Sequence, residues 1–260
     1  MIILIYILIV LFATTVGATT GLGGGIIIKP LFDVVGFHSV DEIGFFSSVA
    51  VFSMCIVSLY KQLRRGTAFN KTIVYSISFG SVIGGFLGEY LFQYAFEIWS
   101  NQQVKAVQAS VLLVTLLVIF YYTLSKDKIK NLQITSKIGS VLIGLFLGMI
   151  SVFLGIGGGP LNVSMLMFCF SFPIREAAFY SLATIFFSQL SKLGISVLGG
   201  SFIAYDLKII PFLIITAFIG GLIGTRLNQS LPIKKIEQLY SLLIIFLILL
   251  SAYNVIVNML

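Results

Sequence analysis

Long apolar stretches, each about the length that crosses a bilayer as a helix, leave this chain few alternatives to a membrane-embedded helical fold. A crossing helix needs about 20 apolar residues. Spans are expected at about 2–20, 43–60, 71–96, 104–124, 138–154, 177–198, 205–227 and 236–257. Of 260 residues, 58% are hydrophobic and 10% charged, against about 25% charged in a soluble domain. The expected fold class is all-α: a polytopic membrane protein of about eight transmembrane helices, multi-pass in the cell membrane, with the lipid bilayer as partner. No charge appears from Met1 to Ile28, and no basic segment precedes the first run, so it is expected as a retained span rather than a cleaved signal.

Two of the runs are broken by glycine in the same way. Gly21-Leu22-Gly23-Gly24-Gly25 leads into Ile26-Ile27-Ile28-Lys29-Pro30, and Gly155-Ile156-Gly157-Gly158-Gly159 leads into Pro160. Each glycine weakens a helix by about 1 kcal/mol relative to alanine. In hydrocarbon, broken helix is tolerated only where protein or a polar cavity covers the freed backbone groups. Two breaks at matching places point to a binding site between two halves, near the bilayer midplane. Each break is followed by a shorter apolar piece, about 26–37 and 160–172, too short to cross. Whether these pieces continue a broken span or turn back is open at this level.

The halves align. A shift of 134 residues places Gly23, Gly24 and Gly25 on Gly157, Gly158 and Gly159, Glu42 on Glu176, Phe45 on Phe179 and Ser47 on Ser181. With two more residues inserted, Gly84, Gly85 and Gly88 fall on Gly220, Gly221 and Gly224. Four landmarks in the same order indicate an internal duplication. The expected organisation is a first four-span repeat over 1–124, a basic cytoplasmic linker over 125–137 and a second four-span repeat over 138–260.

The formal net charge of +7 resides in short loops, which the positive-inside rule explains without nucleic acid. One loop holds Lys61, Arg64, Arg65 and Lys71, another Lys126, Lys128, Lys130 and Lys137. Eight spans put both loops and both termini in the cytoplasm, and Asp33, Asp41, Glu42, Glu97 and Glu176 mostly outside. Arg226, Lys234 and Lys235 conflict with that arrangement, and it fails altogether if the short pieces cross. Cys55 and Cys169 fall in apolar runs and suggest neither a disulfide nor a metal site. His38 is the only histidine, so no metal site, cofactor or Ser-His-Asp catalysis is expected.

The paired Gly-x-Gly-Gly-Gly breaks, Pro160, the Arg175-Glu176-Ala177 opening of the next span, Tyr180-Ser181-Leu182-Ala183 and the two Gly-Gly-x-x-Gly spans resemble the TauE/SafE-like sulfite exporter family of membrane transporters. The likeness covers nearly the whole chain. Two departures stand out: Tyr180 replaces a usual Thr, and Ser164 stands where a Pro often follows. The resemblance implies two four-span repeats moving small sulfur-containing or organic anions, commonly outward, and leaves the substrate open.

Individual residues carry a structural and a functional reading. Gly84, Gly88, Gly220 and Gly224 suit close helix packing. Three adjacent glycines expose backbone on all sides, and a helix starting after them aims free N–H groups and its positive dipole end at an anion. Gly23, Gly24, Gly25, Gly157, Gly158 and Gly159 are therefore candidate substrate-binding residues. Asn162, Ser181, Ser47 and Gln189 are polar in apolar surroundings, either for interhelical hydrogen bonds or facing substrate; Ser164 is polar in the same way. Lys192 either snorkels to the cytoplasmic surface or contacts the anion. Glu89 is expected near the interface, pairing with Arg226 or carrying a proton. Trp99, Tyr94, Tyr121 and Tyr122 read as interface anchors.

These features lead to the expectation of a secondary transporter of a small anion working by alternating access around the breaks, and the resemblance implies sulfite or an organosulfonate among the candidate substrates. An anion channel of the same architecture is the alternative. No P-loop is present for ATP coupling, nor any H-E-x-x-H, G-x-S-x-G or paired intramembrane aspartates for an enzyme. A scaffold role would leave the duplicated breaks unexplained.

Overall fold

The computed structural model describes residues 2–65, 69–125 and 129–259. Lys126 and Lys128 of the expected basic linker lie outside the described residues. All regular structure among the described residues is helical: α1 (Ile2–Thr20), α2 (Gly25–Val35), α3 (Val40–Arg64), α4 (Lys71–Ile98), α5 (Asn101–Ser125), α6 (Lys137–Phe153), α7 (Gly159–Phe170), α8 (Ile174–Leu198), α9 (Ile210–Ser230) and α10 (Ile233–Met259). Several starts are set by local capping. The side chains of Ser39, Asn70 and Ser136 accept from the backbone N–H groups of Glu42, of Thr72 and Ile73, and of Gly139.

Seven helices among the described residues are long and apolar enough to cross a membrane, not the eight expected. The expected fifth span is α6, whose 17 residues give about 26 Å at 1.5 Å per residue, short of a hydrocarbon core of about 30 Å. Its end is set by the second break, where Gly155 has φ +66°.

The short pieces turn back. Gly24 packs on Ala13 and Gly17 of α1, and Phe32 stacks on Tyr6 at 3.9 Å between ring centroids. Tyr6 also hydrogen-bonds His38 at 2.7 Å, so α2 returns to the end where α1 began. In the second half Gly158 packs on Ser151. The carbonyls of Phe168 and Cys169 accept from Leu132 and Ile134, just before α6, so α7 likewise returns.

The halves are interlocked by their glycines. A Cβ on Gly80, Gly84 or Gly88 of α4 would lie 2.0–2.3 Å from the carbonyl oxygens of Val141, Leu145 and Met149 of α6. The rising register makes α4 and α6 parallel. Gly220 and Gly224 of α9 meet Thr14 and Thr15 of α1 in the same way, and Asn228 reaches the carbonyl of Thr19 at 2.6 Å, so α9 and α1 are parallel too. The Gly-Gly-x-x-Gly span of each half thus packs on the first helix of the other. Between these pairs α3 and α8 run antiparallel, with Gly44 beside Lys192 and Phe52 stacked on Phe186.

This path corrects the expected topology. The start of α1 and the end of α10 lie at one end of the bundle, with His38, Asp41, Glu42, Asn101 and Asp206: Val40 N–H donates to Asn101 Oδ1 at 3.1 Å, Asp206 N–H to Glu42 Oε1 at 2.9 Å, and Asn254 Nδ2 to the Pro30 carbonyl at 3.4 Å. The basic loops lie at the other end: Lys61 donates to the Leu222 carbonyl at 2.9 Å, Arg175 to that of Leu231, and Asn70 N–H to Tyr180 Oη. The termini therefore do not share the side of the basic loops. The physical reason is that α1 and α2 together return to their starting end, so each half crosses an odd number of times. The same path removes the conflict over Arg226, Lys234 and Lys235, which join Lys61, Arg64 and Arg65 at the basic end.

Candidate functional site

The two glycine breaks cross each other in the buried centre. A Cβ on Gly25 would stand 2.4 Å from the Ile156 carbonyl oxygen, one on Gly159 2.8 Å from Ile26, and one on Gly23 3.4 Å from the Gly157 carbonyl oxygen. Gly23, Gly24, Gly157, Gly158 and Gly159 all have φ between +45° and +90°, a region costly for L side chains. All six glycines are buried. The crossing is flanked by Val51 of α3 and Ile185 of α8, which both touch Gly157 and stand 134 positions apart. Both α2 and α7 start here, so two positive helix ends converge on one point.

Polar side chains divide around this crossing. Toward the basic end most of the polar groups beside the breaks are paired, Asn162 Nδ2 excepted. Ser181 Oγ donates to the Gly21 carbonyl at 2.7 Å. Ser151 Oγ lies 3.5 Å from Asn162 Oδ1, although Asn162 Nδ2 has no protein partner. Tyr240 donates to the Pro160 carbonyl at 2.9 Å, which leaves Ser164 as the donor of its 2.6 Å bond to Tyr240.

Toward the other end, charges and unpartnered groups gather. Ser47 stands one turn before Val51, and Gln189 one turn after Ile185. The antiparallel register sets the two level. Both are about 1% exposed, and neither Ser47 Oγ nor Gln189 Nε2 has a protein partner. Lys192 follows within a turn, 2% exposed, with Nζ 3.9 Å from Glu89 Oε2 and 5.4 Å from the Phe92 ring centroid. It does not snorkel to the basic surface; its nearest charge is a buried acid at the opposite end. Glu89 is correspondingly 1% exposed rather than interfacial. It is remote from Arg226, because α4 and α9 run in opposite directions and their matching positions fall at opposite ends.

Lys29 received no role in the sequence reading, yet its chain lies against Gly155, where a Cβ would be 2.9 Å from Cε. Its Nζ donates to Gln108 Oε1 at 2.8 Å and lies 3.5 Å from Asp33, and Lys105 closes on the other Asp33 oxygen at 3.6 Å. The available signal was a lysine one turn past a glycine break, in an apolar run, four residues before an acid. Among the described residues no three His, Cys, Asp or Glu side chains group as metal ligands do. What the arrangement offers chemically is two buried ammonium groups and three buried polar atoms without a protein partner, Ser47 Oγ, Gln189 Nε2 and Asn162 Nδ2, around two helix N-termini. That is donor-rich ground suited to a small anion.

Comparison with known proteins agrees with the resemblance. The sequence model of the family described as "Sulfite exporter TauE/SafE" matches residues 6–253. The chain is 24% identical over 265 residues to "Probable membrane transporter protein YunE" of Bacillus subtilis (strain 168), covering 94% of each chain. It is 27% identical over 107 residues to "Probable membrane transporter protein MamO" of Paramagnetospirillum magneticum (strain ATCC 700264 / AMB-1), covering 39% of this chain and 17% of that protein. No solved structure matches.

Proposed function

From the premise that this chain belongs to the sulfite exporter TauE/SafE family, a family of membrane transporters, we propose that it carries a small anion, sulfite or an organosulfonate, across the cell membrane by alternating access around the crossed glycine breaks. The observation that carries this reading is the crossing itself. The two helix N-termini meet there, and Lys29, Ser47, Gln189 and Lys192, all buried, stand within about two helical turns of it on α2, α3 and α8. Gly23, Gly24, Gly25, Gly157, Gly158 and Gly159 supply bare backbone there, Asn162 and Ser181 hold the breaks in shape, and Glu89 is the counter-charge of Lys192.

Two inverted repeats, 1–124 and 138–260 joined by the basic segment 125–137, supply the two states. The pairing of α4 with α6 and of α9 with α1 supports this division, as does the opposite direction of matching helices. The basic end is cytoplasmic by the positive-inside rule, which places both termini outside. Outward movement of an anion is then favoured by a potential negative inside, at about 2.3 kcal/mol per charge per 100 mV.

Proteoliposomes test the substrate: efflux of labelled sulfite should saturate and be accelerated by sulfite on the opposite side. Efflux that rises linearly with concentration and ignores the opposite side would instead support a channel. Orientation is checked with a membrane-impermeant thiol reagent on intact cells. Glu97→Cys should label and Arg65→Cys should not; the reverse pattern would overturn the orientation.

A further inference from the structure

Two clefts flank the crossing, and they are built from matching positions. The first lies at the basic end between α5, α7 and α10, with a volume of about 380 Å³. The second lies at the other end between α5, α2 and α10, with a volume of about 20 Å³, little more than one water needs. Helices α5 and α10 start at Asn101 and Ile233, a shift of 132 (233 − 101). On that shift Tyr122, Glu237, Tyr240 and Ser241 of the open cleft answer to Asn254, Lys105, Gln108 and Ala109 of the narrow one. On the shift of 134 for the short helices, Ser164 and Met167 answer to Pro30 and Asp33. Six matched pairs line both clefts, so these are the same cleft found twice, wide at one end and shut at the other.

The difference between them lies at the mouth. Each floor is tied from the matched positions on α10 and α5: Tyr240 to Ser164 in the open cleft, and Gln108 to Lys29, the neighbour of Ser164's counterpart Pro30, in the shut one. At the mouth of the shut cleft, Asp33 of α2 meets Lys105 of α5 at 3.6 Å. The matching pair in the open cleft is Met167 and Glu237, which cannot form an ion pair. The matched mouths therefore differ: Asp33 and Lys105 join the short helix to α5 by an ion pair, and Met167 and Glu237 cannot join α7 to α10 in that way.

We propose that the cleft between α5, α7 and α10 is the loading site by which a small anion reaches the glycine crossing, and that the Asp33–Lys105 pair latches its counterpart at the opposite face. The proposal rests on the alternating-access reading above. Lys234 at the wide mouth draws the anion in, and the hydroxyl-lined wall leads to Pro160, directly beyond the second break. An anion arriving at Lys29 competes with Asp33 and Gln108 for its ammonium, which loosens the shut side from within. Release then needs the latch to part and the wide cleft to close together.

Helix α10 supplies reporters for both clefts: Ser241 lines the open one and Ser251 the shut one, about 15 Å apart along the helix. Purified protein in lipid nanodiscs is reacted with a small maleimide. The parent chain serves as the blank, since its Cys55 and Cys169 are buried. Ser241→Cys should react quickly and Ser251→Cys slowly. Adding Asp33→Asn should raise the Ser251→Cys rate and lower the Ser241→Cys rate, each by about tenfold. Lys105→Gln breaks the same pair from a more exposed side chain and should give the same exchange, so the test survives if Asp33→Asn does not fold. A rise at position 251 without a fall at position 241 would overturn the coupling, and no change at either would overturn the latch. The labelling uses no substrate. A chain that exchanges its two accessibilities but fails to move sulfite would keep the latch and lose the substrate assignment.

Discussion

Ser181 of α8 gives its hydroxyl to the carbonyl of Gly21, at 2.7 Å. Ser47, which the 134-residue shift places on it, lies on α3 beside the other break and has no protein partner. Around the first position the chain closes most of its own polar groups. Around the second it leaves a hydroxyl and an amide unpaired, next to Lys29 and Lys192. The backbone device is the same in both halves, but the matched serines differ: Ser47 keeps its hydrogen-bonding capacity in reserve and Ser181 does not, and on the Ser181 side the unpaired group beside the break is Asn162 Nδ2. Buried polar groups are normally paired, so, on the proposed anion-carrier reading, Ser47 and Gln189 are groups for a ligand to satisfy, whereas Ser181 is already held by the chain.

The largest expected effect tests the charged side. Glu89→Gln leaves Lys192 buried without its acid, which should cost roughly 3–5 kcal/mol of stability, read as the unfolding midpoint in detergent. Glu89→Gln combined with Lys192→Met should recover most of it. Efflux that loses its pH-gradient dependence in a still-folded Glu89→Gln would make this residue a proton carrier rather than a counter-charge.

Next in size is the break. Gly158→Ala adds a Cβ 2.4 Å from both Asn162 Nδ2 and Ser151 Oγ at φ +90°, so strain and crowding together should cost roughly 2–4 kcal/mol. A loss no larger than that of an exposed helix glycine would mean that the crossing is loose.

Ser181→Ala orphans the buried carbonyl of Gly21 and should cost about 1–3 kcal/mol with little change in the affinity of what remains folded. Smallest in stability is Ser47→Ala, expected below about 1 kcal/mol because no protein bond is lost. It should nevertheless weaken sulfite efflux at subsaturating concentration. If Ser47→Ala transports with unchanged affinity while Ser181→Ala does not, the contrast between the two sides is reversed.

The sequence by itself determined the class of the molecule and the location of its centre. Hydropathy forces helices, because a backbone in lipid must satisfy its own hydrogen bonds. Triple glycine marks where those helices must stop, and the packing role of Gly84, Gly88, Gly220 and Gly224 was legible from their one-turn spacing. Tertiary structure alone decided which way the pieces after the breaks run. A piece of 11 or 12 residues can continue or return with the same composition, and the choice rests on contacts such as Phe32 with Tyr6 and Phe168 with Leu132. That choice set the matching helices α3 and α8 in opposite directions, moved the termini away from the basic loops and brought Arg226 to the end opposite Glu89. It also made partners of Lys192 and Glu89, and of Lys29 and Gln108, which are 79 or more positions apart in the chain. Local sequence can show that a buried charge needs a partner, but only the packing of distant helices supplies one.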